Sequence, residues 1–395
     1  MNKYAQLFRS FKLGSYTLKN RFVLSPMTLS LATKDGKVTT EEEKYSARRA
    51  DCAPLLISGG TYFDDFGQLF EYGYSAKSDD DIESLKKLAK AMKSKGNVAI
   101  LQLAHAGKFS KASLKKYGYL YGPSYEKNHI PVEHEVFELS ISQIKQIVKD
   151  YASATKRAVA AGFDGIEISM AQRLLIQTFF SSIVNKRNDE YSANSFENRS
   201  RLCLEIVEEI RKVIDQYADE NFLFGFRATP EETYGAELGY SIIDFIQLIE
   251  EIIKKGKINY LAIASWGHDI YLNKVRSENE YKGQLVNKII YDKFKGILPI
   301  ISSGGINTPQ KCLDALEYSD LVGLSSVFVA DPEFVQKIEN DQEDKINLNI
   351  SFSQLKDLAI PESSFKGIVE MFGFCETIPT ESLKTLEENS KSEIN

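Results

Sequence analysis

Cysteine is scarce and scattered in this chain. The four cysteines among its 395 residues, Cys52, Cys203, Cys312 and Cys375, show no paired spacing that would make a metal site or a disulfide framework. They read as reduced structural thiols of a cytoplasmic protein. Net charge is also low, −6 with a pI near 5.6, and Lys and Arg are interleaved with Asp and Glu rather than gathered in blocks. That leaves no electrostatic footprint for nucleic acid. Long apolar runs are missing too. The opening MNKYAQLFRSFKLGSYTLKN holds no signal-peptide core, and no segment approaches the roughly 18 apolar residues of a membrane span. No short-period repeat or low-complexity linker breaks the chain, and no G-x-G-x-x-G follows the first predicted strand, which weakens a doubly wound dinucleotide fold.

What is present is a β-then-α rhythm. Eight short β-rich apolar runs are each followed by helical spacing: FVLS near 22, LLIS near 55, VAILQL from 98, GIEIS from 165, FLFGFR from 222, YLAIAS from 260, LPIIS from 298 and LVGLS from 321. Ser140 and Gln143 form a capping-box pair ahead of Ile144, Ile147, Val148 and Tyr151, and Gly162 ends that helix. Ile82, Leu85, Leu88 and Met92 make a second stripe after Ser78 and Asp79. Eight such units predict a closed (β/α)8 TIM barrel. FKLGSYTLKN reads as an N-terminal hairpin that plugs the barrel bottom, and the long intervals after the third and fourth runs as insertions on the catalytic face. The expected division is a barrel domain over 1–345 and a partly helical C-terminal extension over 346–395, its last twenty residues an exposed, fraying tail.

In such a barrel the chemistry sits at the C-terminal ends of the strands. Those ends carry Ser25-Pro26-Met27-Thr28, Gln102, Arg227 and Ser302-Ser303-Gly304-Gly305. An arginine closing an apolar strand needs an anionic or carbonyl-rich partner. A glutamine in the same mouth offers a donor and an acceptor, the complement of a planar imide edge. Adjacent glycines let backbone N–H groups approach a phosphate. Together they suggest a flat heteroaromatic phosphate ester across the mouth. Each also has a structural reading: Gln102 as a strand bridge, Gly304-Gly305 as a turn, Arg227 as a buried ion pair, His105 as a satisfied loop histidine.

With LKNRFVLSPMT, LQLAHAGK, AGFDGIEI, FFSSIVNKRNDEYSANSFENRSRL, SSGGI and ADPEF in view, the chain resembles the Old Yellow Enzyme family of FMN-dependent NADH:flavin oxidoreductases from about residue 5 to about 340. The resemblance implies FMN as cofactor and NADH or NADPH as reductant. It implies that Pro26, Met27 and Thr28 line the flavin, that Gly60 lets backbone approach the ring, and that Gln102 pairs with the pyrimidine edge. Arg227 would face the N1 and O2 side, and Ser303, Gly304 and Gly305 would contact the phosphate. Asn185, Arg187, Asp189, Glu197, Asn198 and Arg199 would pin the long loop through buried ion pairs.

The departures fall on the reacting groups. At the end of the fourth strand the family pattern places His, then His or Asn three residues on, then Tyr; this chain has Ser169, Gln172 and Leu174. Leu174 cannot return a proton, and Ser169 and Gln172, the altered substrate-contact positions, cannot become cationic. Ser325-Ser326 stand where the family has Gly-Arg near the phosphate, and Tyr191 to Ser195 replace a glycine-rich loop.

The expected function is hydride transfer from NAD(P)H through FMN to a small-molecule electron acceptor other than an ordinary enone. Ser169, Gln172, Arg173 and Trp266 would shape the pocket. The alternative is a flavin-binding protein with little ene-reductase turnover, acting as a binding or regulatory partner. A barrel hydrolase or aldolase without flavin fits worst, since Thr28, Gln102 and Arg227 would be kept without their ligand. No metal, nucleic-acid or membrane partner is expected, and assembly as a homo-oligomer stays open.

Overall fold

A computed structural model describes residues 3–265, 267–364 and, beyond these, 368, 379, 381, 382 and 384. Trp266, Cys375 and, apart from the last four positions just named, the final twenty residues lie outside the described part.

The N-terminal hairpin forms as expected, β1 (Phe11–Leu13) pairing antiparallel with β2 (Tyr16–Leu18). Its Leu13 and Leu18 pack with Val23, Leu55, Val98, Ile100 and Leu223 inside the barrel, so the hairpin does close the bottom. All eight anticipated strands form. They are β3 (Phe22–Leu24), β4 (Leu55–Ile57), β5 (Val98–Leu103), then, after a small sheet of β6 (Tyr119–Gly122), β7 (Glu126–Asn128) and β8 (His134–Glu138), β9 (Gly165–Met170) and β10 (Leu223–Ala228). A hairpin of β11 (Glu232–Tyr234) and β12 (Glu237–Tyr240) precedes β13 (Tyr260–Ile263), β14 (Ile300–Ser303) and β15 (Leu321–Leu324).

The order β10-β13-β14-β15-β3-β4-β5-β9 closes on itself with every pairing parallel. β5, β9 and β10 are buried at all six positions, because one face meets the barrel core and the other the helices outside. The helix Ile141–Ala160 starts on the anticipated box: Ser140 N donates to Gln143 Oε1 at 2.9 Å and Gln143 N to Ser140 Oγ at 3.3 Å.

The insertion after β5 is the three-stranded sheet β6-β8-β7, and Arg187 fastens it to the loop after β9. Its Nη1 donates to Pro123 O at 3.0 Å and Leu139 O at 2.6 Å, while Nε reaches Asp189 Oδ1 at 3.0 Å. Asn185 Nδ2 bridges Phe179 O and Tyr191 O, each at 2.7 Å. Glu197 departs from the expected pinning: it is exposed and joins no ion pair among the described residues, whereas Arg199 lies 3.5 Å from Asp244.

The described residues 350–360 pack on the catalytic end. Ile350, Leu355, Leu358 and Ile360 join Leu29, Leu31, Val329 and Ala330, with Met27 at the edge of the cluster. The wholly buried guanidinium of Arg49 organises this contact. It donates to Phe328 O at 3.0 Å, Val329 O at 2.9 Å and Leu358 O at 2.9 Å, and stacks on Tyr45 at 3.6 Å. Among the described residues no helix is long and apolar enough to cross a membrane.

Candidate active site

Register puts four residues side by side across neighbouring strands of the upper barrel. Gln102 aligns with Glu167, Glu167 with Gly225, and Gly225 with Tyr260. Gly225 has no side chain because the Tyr260 ring fills its place; a Cβ there would overlap the ring. One step higher, Ser169 aligns with Arg227. Glu167, fully buried, is the centre of this arrangement. Its Oε1 accepts from Gln102 Nε2 and from Arg227 Nε, each at 2.8 Å. Arg227 Nη1 lies 3.5 Å from Ser303 Oγ, which itself donates to Ile263 O at 2.7 Å. Burial first, and then the Glu167 carboxylate, push the Tyr260 hydroxyl well above its ordinary pKa, so it stays protonated.

The anionic partner that an arginine at this strand end demands is therefore inside the barrel, and sequence reasoning passed over it. The available signal was a carboxylate in GIEIS, a strand otherwise apolar and buried. Gln102 is both a strand bridge, through Nε2, and a mouth residue: its Oε1 would lie 3.6 Å from a Cβ on Gly60. Arg227 Nη2 and Ser25 Oγ are buried with no hydrogen-bond partner among the described residues, whereas the Glu167 carboxylate also has the Tyr260 hydroxyl as a neighbour. Leaving two such atoms unmet is costly unless a ligand meets them.

Thr28 and Gly60 meet directly, Gly60 N donating to Thr28 Oγ1 at 3.1 Å. The Thr28 hydroxyl proton remains for an acceptor above it. Pro26, Met27 and Thr28 are half-buried along the same strand end. His105 is set apart from this mouth: Nδ1 accepts from Gly107 N at 3.0 Å and Nε2 lies 2.7 Å from Asp64 Oδ2. Both ring nitrogens are used, so it is a structural histidine bracing the loop after β4.

Gly304 and Gly305 have φ of 94° and 79°, the left-handed region. Their Cα faces meet the loop after β13, where a Cβ would overlap Ile270 and Asp269. Their backbone N–H groups find no acceptor among the described residues, which is the condition for an anion to bind there. Lys311 bonds Asp269 Oδ1 at 2.7 Å and Gly305 O at 3.2 Å, placing a cation beside the loop. Ser325 and Ser326 open the short helix Ser326–Ala330 after β15, and Ser25 N donates to Leu324 O at 2.7 Å just before them.

The end of β9 turns sharply. Gln172 and Arg173 both have positive φ, 56° and 63°. Gln172 N donates to Thr229 Oγ1 at 3.2 Å, Arg173 N to Gln177 Oε1 at 2.7 Å, and Leu174 N to Ala171 O at 3.1 Å. This splits the two altered positions: Ser169 is buried in the mouth beside Arg227, whereas Gln172 is exposed on the rim. Leu174 is a buried apolar wall at the start of the helix Leu175–Phe180.

The upper barrel thus presents a polar edge, a paired guanidinium with one unmet N–H group and an anion-ready glycine loop at the same strand ends, which suits a planar, polar-edged phosphate ester such as FMN. Fold and site define a flavin-type barrel oxidoreductase, and the comparisons agree. The chain belongs to the NADH:flavin oxidoreductase / NADH oxidase family, whose model matches residues 6–345. It is an FMN enzyme with NAD(P)H as reductant. It is 49% identical over 381 residues to an uncharacterized oxidoreductase of Streptococcus pyogenes serotype M5 (strain Manfredo), covering 96% of each chain. It is 29% identical over 341 residues to the NADH:acrylate oxidoreductase of Vibrio harveyi, with 82% of this chain matched to 32% of that longer one. The Old Yellow Enzyme of Pichia sp. AKU4542 superimposes with a TM-score of 0.70 and 25% identity over 85% of this chain and 87% of that one.

Proposed function

We propose that this protein takes hydride from NAD(P)H and delivers it to a small electrophilic acceptor other than an ordinary enone. FMN, when bound, supplies the two-electron relay between the two substrates. Gln102 and Thr28 would hold the polar edge of the ring, with Gly60 leaving room for it. Arg227, steadied by Glu167, would carry the compensating positive charge beside the side that becomes negative on reduction. Ser303, the N–H groups of Gly304 and Gly305, and the hydroxyls of Ser325 and Ser326 would hold the phosphate. Lys311 beside this loop is already paired with Asp269, so the phosphate would rest on hydroxyls and backbone N–H groups where the strand-eight arginine is missing. Catalysis is proposed to reside in the 1–345 barrel of a cytoplasmic protein.

The observation that carries this reading is the buried Gln102–Glu167–Arg227 relay with Arg227 Nη2 left unmet. The acceptor side is distinctive because Leu174 offers no proton where a general acid would stand. That absence also favours a second reading, a flavin-binding protein with little ene-reductase turnover. Anaerobic titration separates them. Protein that is yellow, releases FMN on denaturation and bleaches with NADH is an oxidoreductase; reoxidation by quinones or oxygen but not cyclohexenone matches the altered strand end. Failure to bleach favours the second reading, and a colourless protein that refuses FMN defeats both.

A further inference from the structure

We infer that residues 350–360, beyond the barrel, brace the cofactor: Leu355, Leu358 and Ile360 hold from behind the two loops that flank the proposed FMN cradle, so that retention of FMN depends on their docking. This rests on the cradle described above and adds positioning residues that touch no reacting atom.

The first loop, residues 26–31, follows β3. Thr28 Oγ1 accepts from Gly60 N at 3.1 Å, and a Cβ on Gly59 would lie 2.7 Å from Met27 O, so the loop lies directly against the segment that ends β4. Leu29 and Leu31 are instead buried among Ile350, Leu355, Leu358 and Ile360. Ser30 between them has φ 57°, a left-handed angle that L side chains resist. Burial of a leucine on each side offsets that strain. Removing the apolar cover therefore frees the stretch that carries Thr28.

The second loop leads into the helix Ser326–Ala330, which is buried at all five positions. Its Val329 and Ala330 enter the same apolar cluster. Arg49 bonds Phe328 O and Val329 O on one side and Leu358 O on the other. One stretch of chain thus packs against both the ring-edge loop and the helix that follows Ser325. With serine rather than arginine at 326, the phosphate side relies on groups that bind well only when held in place. The brace itself has little regular structure, a single turn of 3-10 helix at Phe352–Gln354 among residues 350–360. Arg48 Nε donates to Asp357 O at 2.8 Å, and Asn347 N to Asp331 Oδ2 at 3.0 Å. Segments so sparsely bonded open at lower cost than the core they cover. Undocking would leave the barrel folded and loosen both loops together.

The test compares the FMN-loaded parent with a Leu358→Ala, Ile360→Ala double variant and with Leu13→Ala, a cavity in the hairpin at the opposite end of the barrel. FMN affinity and release are read from flavin fluorescence. We expect the double variant to bind FMN roughly 10- to 100-fold more weakly, the usual range of coupling between sites. Leu13→Ala, destabilised as well, should bind FMN as the parent does. Coupling is reciprocal, so saturating FMN should slow tryptic cleavage of the parent at the exposed Lys356 by a comparable factor. That arm uses no variant, so a misfolded double variant does not decide the matter. Unchanged affinity in the double variant, an equal loss in Leu13→Ala, or cleavage at Lys356 that ignores FMN each overturns the brace. A parent that refuses FMN overturns it together with the flavin reading. A parent that binds FMN but does not bleach with NADH fails as an oxidoreductase, while its binding and cleavage results still decide the brace.

Discussion

Glu167 and Arg227 form an ion pair sealed inside the barrel: Oε1 and Nε are 2.8 Å apart, with the Glu167 side chain fully buried. Gln102 shares the same oxygen. The pair fixes Arg227 against a wall of the mouth while its Nη2 has no partner among the described residues, a preorganised positive charge rather than a mobile one.

Removing one member should expose how much the other depends on it. Glu167→Ala leaves a buried cation uncompensated and is expected to cost about 3–5 kcal/mol in cofactor-free protein. Adding Arg227→Met to that variant should recover part of the loss. Urea unfolding of the two forms decides this; equal costs would mean that the pair is not coupled.

Asp64 gives a pH dependence. Burial alone would raise its carboxyl pKa, but His105, by charge and hydrogen bond, and the N–H groups of Phe66 and Gly67 bring it below the ordinary value. A depressed folded-state pKa means stability that is present above the unfolded value, about 3.9, and is lost as pH falls through the folded one. Asp64→Asn should therefore lower stability at pH 7 and flatten the acid limb of the unfolding curve. A parallel limb in parent and variant would assign the acid sensitivity to other carboxylates.

Ser169→His, Gln172→His and Leu174→Tyr together restore the family's donors at the end of β9. Cyclohexenone turnover should rise by roughly 10²- to 10⁴-fold, the usual worth of general-acid assistance. No gain in steady-state assays would place the reacting carbon out of reach of this strand end.

Arg49 should be a stability hot spot far from the chemistry. Its guanidinium donates to carbonyls of both the segment after β15 and the segment around Leu358. Arg49→Ala is expected to cost about 3 kcal/mol or more, since buried carbonyls lose a charged donor. Limited proteolysis between 346 and 364 should accelerate in that variant, and less so in Arg49→Lys.

The strands and most of the mouth were legible because parallel barrel strands are buried on both faces and announce themselves as short apolar runs. The hairpin plug and the Ser140 capping box were legible for similar local reasons. Glu167 was not. A single carboxylate in GIEIS reads as strand punctuation until register places it between Gln102 and Arg227. The pairing of Ser169 with Gln172 also loosened: three residues along a strand end would suggest two neighbours, but the left-handed turn at 172 and 173 buries one and exposes the other.

By itself the sequence determined the eight-stranded barrel, the family, the flavin and the loss of a proton donor at 174, since these depend on local periodicity and on which residue types are present. Tertiary structure decided the counter-ion of Arg227, the structural role of His105, the packing of 350–360 onto the catalytic end, and the positive-φ turn at Gln172 and Arg173. Each of those joins chain segments remote in sequence or depends on a backbone angle. Both are set by closure of the barrel and packing around it, which no single stretch of the chain encodes.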